Sequence, residues 1–144
     1  MKYRSPRGMR NFRASGRERL AELARFLDTV EPERVTFAWW YGHGKGCAVA
    51  LAAAEAPWFQ AQGLALADED KLGQCRPVYD GAAEWQALAR FFGLGVETLR
   101  DLFDRSGYGG NVRPHPGEVA AKIRAHLAAT VETEQDEPVR ELVH

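Results

Sequence analysis

Cysteine is scarce in this sequence, and long hydrophobic runs are missing. Only two of the 144 residues are cysteines, Cys47 and Cys75, which excludes a disulfide-dense secreted scaffold, and two cysteines form a structural zinc site only with the help of histidine. The longest uncharged apolar run, 47–54, is far shorter than the roughly 20 residues of a membrane span. The basic start MKYRSPRGMRNF lacks the apolar stretch and cleavage site of a secretory signal. We therefore expect a cytoplasmic protein with free thiols and no membrane segment.

The length and composition of the chain are typical of one globular domain. Hydrophobic residues make up 45% of the chain and charged residues 27%, and the net charge is -1. The charges are unevenly placed, because basic residues dominate the first nineteen positions and acidic residues dominate from position 132 onward. Charge blocks at termini are usually solvated. We predict a basic flexible arm over 1–14, a globular domain over 15–130 and an acidic flexible tail over 131–144.

The spacing of apolar residues predicts a mainly α fold of about five helices. Ser15 and Glu18 have the spacing of a capping box, so the first helix begins there, and Pro32 ends it. Helical spacing returns from Ala82 in two helices separated by Gly93, and again after Pro116. These helices belong to a single compact domain.

The middle of the chain predicts the core and a minor β-hairpin. The β-branched and aromatic run VTFAWWY (35–41) indicates a short strand or an extended core segment. Segment 47–55 has no polar face, so we expect a central helix that is covered on all sides. GLALA (63–67) and CRPVY (75–79) predict two short strands joined by a loop, and Pro77 restricts the second to a sheet edge.

The stretch YGHGKG, residues 41–46, is the main candidate site. A glycine-rich turn that enters a helix exposes backbone N–H groups, and Lys45 adds a charge, which suits a phosphate or a carboxylate. The P-loop pattern fails, since Gly46 and Cys47 follow Lys45 where that motif needs Ser or Thr. A structural turn is the alternative that we favour over anion contact.

Tryptophans near this loop fill the core or form an aromatic wall for a flat ligand. No arrangement of carboxylates, metal ligands or nucleophile and base stands out, so we expect no catalytic residue, metal or cofactor. The predicted binding residues are Trp40, Tyr41, His43, Lys45 and Tyr108.

Cys47 and His43 support a thiol-dependent enzyme or redox sensor as one alternative. They are four residues apart, and a thiol in the first turn of a helix is expected to have a lowered pKa. The same pair could ligate a metal with Cys75 or His115. Because cysteine is often fully buried, we favour a structural role for Cys47.

Residues 88–103 support a second alternative, a nucleic-acid-binding regulator. The spacing around Gly93 is that of a helix-turn-helix, and the basic arm would follow the phosphates. Acidic residues on the second helix oppose this role, so a structural helix pair is favoured. The nucleic-acid-binding residues would be Arg4, Arg7, Arg10, Arg13 and Arg100.

Several short motifs follow one another between residues 20 and 127. They are Trp39-Trp40, Cys47-Ala48, Pro57-Trp58-Phe59, Gly63-Leu64-Ala65-Leu66, Phe91-Phe92-Gly93-Leu94, Leu102-Phe103 and 119–127. In this order they resemble the motifs of a family of small, largely uncharacterised bacterial and phage proteins, which carries CGTxxCxxGWA, PWF, a GLxL strand, FFGLS, a later LF and a closing VAxRIRxxL helix. The first cysteine, the threonine and the Gly-Trp of the first motif are replaced, by GHGKG and by Ala50-Leu51. The resemblance implies a single compact fold, names no reaction and weakens a catalytic role for the loop.

These observations favour a small, non-enzymatic interaction protein, bacterial or phage-derived, that binds an unknown protein partner. The expected contact surfaces are the loop at 42–46 with its neighbouring aromatics, the basic arm and the SGYGG loop after position 105. The phage resemblance makes an inhibitor or accessory factor of a host system a special case of this hypothesis.

Overall fold

Six α-helices and two small antiparallel sheets form the part of the chain that the computed structural model describes, which is Tyr3, 13–67 and 73–141. This confirms the predicted mainly α fold with a minor β element. The helices are α1 (Gly16–Leu27), α2 (Ala48–Glu55), α3 (Pro57–Ala61), α4 (Glu84–Phe92), α5 (Val96–Phe103) and α6 (Pro116–Glu141). The strands are β1 (Tyr41–Gly42), β2 (Lys45–Gly46), β3 (Ala65–Leu66), β4 (Pro77–Tyr79) and β5 (Ala82–Ala83), and short 3-10 turns cover Pro32–Arg34 and Arg105–Tyr108.

The first helix begins at the predicted capping box. The Ser15 hydroxyl accepts from the Glu18 amide at 3.1 Å, and the Glu18 carboxylate accepts from the Ser15 amide at 2.9 Å. Such caps stabilise a helix by about 1 kcal/mol. The apolar stripe of α1, which includes Leu20, Leu23 and Leu27, is fully buried and packs against α6, α4 and α2.

Helix α2 is the central helix that the sequence predicts. Its residues from Ala48 to Ala52 have no exposed surface, and their small side chains let α1, α3 and β3 approach closely. The helix ends at Ala56 because a residue before proline disfavours the helical conformation. Pro57 then starts α3 at once, as proline is well suited to the first position of a helix.

Of the two alternatives for VTFAWWY (35–41), the short strand is wrong for residues 37–40, whereas the segment does pack against the core through Val35, Phe37 and Trp40. Val35 makes a single bridge to Gly46, residues 37–40 form bends, and only Tyr41 belongs to a strand. The physical reason lies in the backbone partners. Phe37 N donates to Val112 O at 2.6 Å, whereas Cys47 N donates to Trp40 O at 2.9 Å, so the run bonds to separate segments and forms no continuous ladder.

The second sheet corrects two further predictions. Its order is β3-β4-β5, so the strand that contains Pro77 lies in the middle and not at an edge. Proline is tolerated there because it is the first residue of the strand, where its missing N–H interrupts no ladder. Ala82 and Ala83, predicted as the start of a helix, form β5, because Asp80 and Gly81 both have positive φ and turn the chain back as a hairpin.

The helix pair around Gly93 follows the prediction, and α6 begins at Pro116 as predicted but continues to Glu141, within the segment 131–144 that the sequence predicts to be a tail. Gly93 ends α4 in the left-handed conformation with φ of 67°, and α5 begins after Gly95. Helix α6 lies along α1 and α5. Over the described ranges, no helix combines the length and the apolar character that crossing a membrane would require.

Candidate functional site

The glycine-rich stretch at 41–46 forms a β-hairpin. Tyr41 pairs with Gly46 and Gly42 with Lys45, which leaves a two-residue turn made of His43 and Gly44. Their φ angles are 54° and 76°. Two consecutive positive φ angles define the type I′ turn that matches the twist of a hairpin. The structural turn, which the sequence analysis favours over an anion cradle, is therefore the observed arrangement.

Hydrogen bonds from three sides hold this hairpin. Arg34 Nε donates to Gly44 O at 3.1 Å, Trp39 Nε1 donates to Lys45 O at 3.1 Å, and Cys75 N donates to Tyr41 O at 2.8 Å. The start of α2 behind the hairpin is buried, with Cys47 3% exposed and the next residue not exposed at all. An anion in solution consequently has no access to the N-terminal amides of α2.

Cys47 is a buried thiol at the start of α2. Burial raises its pKa to about 11, and the nearby amides of Ala50 and Val49 oppose this effect only in part. The lowered pKa expected from its position at a helix start is thus wrong, since loss of hydration outweighs the amide groups. His43 is exposed at the hairpin turn, and neither a hydrogen bond nor an ion pair joins these two described residues.

The other predicted binding residues of the hairpin are partly covered. Tyr41 and Lys45 are half-buried, and burial raises the pKa of the Tyr41 hydroxyl. Among the described residues, His, Cys, Asp and Glu side chains form no group of three that could hold a metal ion.

Tyr108 is occupied by contacts within the fold. Its hydroxyl donates to Leu102 O at 2.7 Å, its ring lies 5.6 Å from that of Phe37, and Lys122 Nζ lies 4.6 Å from its ring centroid. Burial, together with the charges of Asp101 and Glu118, raises the pKa of this hydroxyl. These contacts explain Tyr108 as a packing residue at the junction of the helices.

Trp40 belongs to a surface cleft that we call the tryptophan cleft. Its volume is about 310 Å³. The half-buried indoles of three tryptophans form its walls, and two buried residues contribute to its floor. The residues that line it are Phe37, Ala38, Trp39, Trp40, Cys47, Gln74, Trp85, Phe103 and Asp104.

Separate elements bring these indoles together. Trp39 and Trp40 lie in the bends before the hairpin, where the bond from Trp39 Nε1 to Lys45 O fixes one ring. Trp85 lies in the first turn of α4, and its ring meets that of Trp40 edge to face, with 5.1 Å between centroids and 64° between planes. The indole N–H groups of Trp40 and Trp85 donate to no atom of the described residues.

Asp104, an acidic residue, also lines this cleft. Its Oδ2 accepts hydrogen bonds from the amide and the hydroxyl of Ser106, at 3.2 and 2.8 Å, and so caps the 3-10 turn that follows α5. Its Oδ1 has no hydrogen bond or ion pair with the described residues. Arg100 on α5 lies over the Trp85 ring, with 5.6 Å between Cζ and the ring centroid.

Of the arginines named for nucleic-acid binding, the structure describes two. Arg13 is exposed just before α1, and Arg100 is exposed on α5, where it covers Trp85. Arg4, Arg7 and Arg10 lie outside the described residues.

Sequence reasoning missed six of the nine residues that line the cleft, which are Phe37, Ala38, Gln74, Trp85, Phe103 and Asp104. Trp85 falls on the apolar stripe of α4, and spacing alone does not distinguish an indole in the core from one in a cleft. The sequence held no signal that separates the three cleft tryptophans from the buried Trp58, because that difference in burial is visible only in the structure.

Comparison with known proteins returns no match to a family model, to a curated protein or to a solved structure. The resemblance to small bacterial and phage proteins therefore stays a prediction.

Proposed function

We propose that this chain is a non-enzymatic binding protein that receives a side chain of a partner protein in the tryptophan cleft. The observation that carries the proposal is the convergence of Trp39, Trp40 and Trp85, all half-buried, on one cleft of about 310 Å³. Tryptophan is enriched among the residues that dominate protein–protein binding energy, and those residues lie in concave, well-packed sites.

The energetics of the indoles support a binding role. A large aromatic side chain that stays partly in water gives up part of the stabilisation that full burial would provide. Phe91 and Phe59 in the same domain are completely buried, so the fold accommodates large rings elsewhere. The free N–H groups of Trp40 and Trp85 add two donors that a partner's main-chain carbonyl groups can satisfy.

The proposal includes a cytoplasmic location and a bacterial or phage origin. Cys47 and Cys75 form no disulfide with each other in the structure, which fits a reducing compartment. An inhibitor or accessory factor of a host system is the special case that the sequence resemblance suggests.

The test is a selection of random peptides displayed on phage against the wild-type protein. Enriched peptides are then measured against Trp85→Leu, which keeps an apolar side chain at the start of α4 but removes the indole. We expect binding to weaken by about tenfold or more.

Two controls separate the cleft from general effects. Leu127 packs against the core from α6 and does not line the cleft, so Leu127→Ala should lower the stability of the fold only, and His43→Ala alters the exposed hairpin turn. Both variants should bind the peptides as the wild type does, after circular dichroism has shown that all variants are folded. Peptides that bind Trp85→Leu as well as the wild type, or that are lost with His43→Ala, would contradict the assignment to the cleft.

A further inference from the structure

We infer that the side chain received by the tryptophan cleft is an arginine of the partner. This inference rests on the proposed function and names the chemistry of the residue that the cleft selects. Three features of the cleft carry it: the aromatic walls, a carboxylate with a free oxygen, and an arginine of this chain that already stacks on one of the walls.

The walls favour a flat cation. Indole gives the strongest cation–π attraction of the protein side chains, and the guanidinium group also stacks face to face on aromatic rings. Trp40 and Trp85 meet edge to face, so their ring planes are inclined and present two differently oriented surfaces to a guest. A planar guanidinium can lie on one of them while its methylene stem covers the other.

The negative charge of Asp104 also favours an arginine as the guest. Asp104 Oδ2 is used by Ser106, whereas Oδ1 has no described partner. A carboxylate accepts hydrogen bonds on both oxygens, and its strongest partner is the fork of N–H groups on a guanidinium. A neutral guest would leave this carboxylate without a counter-charge when the cleft is covered, which costs free energy.

Arg100 already makes a cation–π contact with one of the cleft tryptophans. Its guanidinium lies over the Trp85 ring, yet it forms no ion pair with Asp104, four residues further along the chain. The Trp85 ring therefore holds a cation in the unbound protein. Because Arg100 also carries a positive charge beside the cleft, it opposes a second cation, and its removal should strengthen binding.

The experiment uses the full chain and a doubly blocked arginine, N-acetyl-arginine methylamide, as the probe. Blocked citrulline is the matched neutral control, because it keeps the shape of the side chain and loses the charge, and blocked lysine tests the preference for a planar cation. Binding is followed by the four indole N–H resonances in heteronuclear NMR. We expect shifts for Trp39, Trp40 and Trp85 and none for the buried Trp58, with citrulline and lysine at least about fivefold weaker.

Two variants give opposite expected effects. Asp104→Asn keeps an oxygen to cap Ser106 but removes the charge, so blocked arginine should bind about fivefold more weakly. Arg100→Gln removes the competing cation, so blocked arginine should bind more tightly. Equal affinity for arginine and citrulline, tighter binding of lysine, or unchanged affinity in Asp104→Asn would overturn the inference.

The outcome is distinguishable from failure of the proposed function. Displayed peptides that depend on Trp85 but contain no arginine would leave the binding proposal intact and overturn the inference. Blocked arginine that shifts the cleft indoles, with no peptide that depends on Trp85, would support the arginine site and contradict the peptide-binding function.

Discussion

Arg19 reaches from α1 to the last turn of α4, where its Nη1 donates to the main-chain oxygen of Phe91 at 2.8 Å. The guanidinium also lies 4.3 Å from the centroid of the Phe91 ring, and it donates to Gln62 Oε1 from Nε and Nη2 at 3.3 and 3.1 Å. The residue is only 4% exposed, and its partners in the described structure are all neutral. The buried guanidinium of Arg19 is thus held by hydrogen bonds from its N–H groups to neutral acceptors, and not by an ion pair with a carboxylate.

We expect Arg19→Lys to lower the free energy of unfolding by about 2–4 kcal/mol, because an ammonium cannot reach Gln62 and Phe91 at once and leaves buried groups unsatisfied. Urea unfolding measures the change. Arg25→Lys is the matched control, since Arg25 lies on the exposed side of the same helix and pairs with Glu22, and it should change stability by less than about 0.5 kcal/mol. Similar losses in both variants would contradict the structural role of Arg19.

Local signals in the sequence predict the helices well. The start of α1 follows from Ser15 and Glu18, and the burial of α2 follows from a run with no polar side chain. Both signals are contained within a few residues, so they need no knowledge of distant contacts. The end of α2 is equally local, because Pro57 restricts the residue before it.

The errors have a different physical origin. An Asp80–Gly81 pair is a standard hairpin signal, but the helical spacing that begins at Ala82 conceals the strand that follows it. Residues 37–40 have strand-forming side chains, yet Phe37 N donates to Val112 O, far along the chain, while Trp40 O accepts from Cys47 N, so composition alone could not place them. The cleft also depends on contacts between residues that are distant in the sequence, because Trp85 and Asp104 come close to Trp40 only through tertiary packing.

Gly46 lies in β2 of the hairpin, directly against the main chain of Trp40, which lines the cleft. A Cβ at this position would overlap the carbonyl oxygen of Trp40, which is backbone and cannot move aside cheaply. We expect Gly46→Ala to lower the free energy of unfolding by about 2 kcal/mol or more and to shift the indole resonance of Trp40. Gly95→Ala is the control, since nothing lies within 4 Å of its added Cβ, and its stability should match the wild type. A neutral Gly46→Ala would contradict the close approach of these two segments.

His43 occupies a turn position that asparagine fills better. Its φ of 54° lies in the left-handed region, which asparagine and glycine tolerate more readily than histidine. His43→Asn should therefore raise the free energy of unfolding by about 0.5 kcal/mol, whereas His43→Val should lower it, because a β-branched residue is strained there. Thermal unfolding of the two variants gives the test, and destabilisation by asparagine would contradict the assigned turn.

The raised pKa of Cys47 makes stability depend on alkaline pH. Its pKa is about 11 in the folded chain against 9.0 for an unperturbed thiol, so the folded state favours the protonated form. The stabilisation is complete below pH 9 and is lost as the pH rises from 9 to beyond 11. We expect the free energy of unfolding to fall over this interval, and to fall less in Cys47→Ala. Tyr41 and other groups that titrate at alkaline pH are present in both proteins, so the difference between the two curves isolates the contribution of the thiol. Parallel curves for the two proteins would contradict the burial of the thiol.

Substitution of Arg100 distinguishes the two kinds of partner that the sequence suggests, a nucleic acid and a protein. If α5 contacted nucleic acid, Arg100→Gln would weaken binding to duplex DNA, and that binding would fall steeply between about 50 and 200 mM salt. The position of Arg100 over Trp85 leads us to expect the reverse pattern: no steep salt-dependent DNA binding by the wild type, and tighter binding of blocked arginine by the variant. Fluorescence anisotropy with a labelled duplex and the NMR titration report the two affinities independently. Salt-sensitive DNA binding that Arg100→Gln abolishes would favour the helix pair as a nucleic-acid reader over the tryptophan cleft as the site of function.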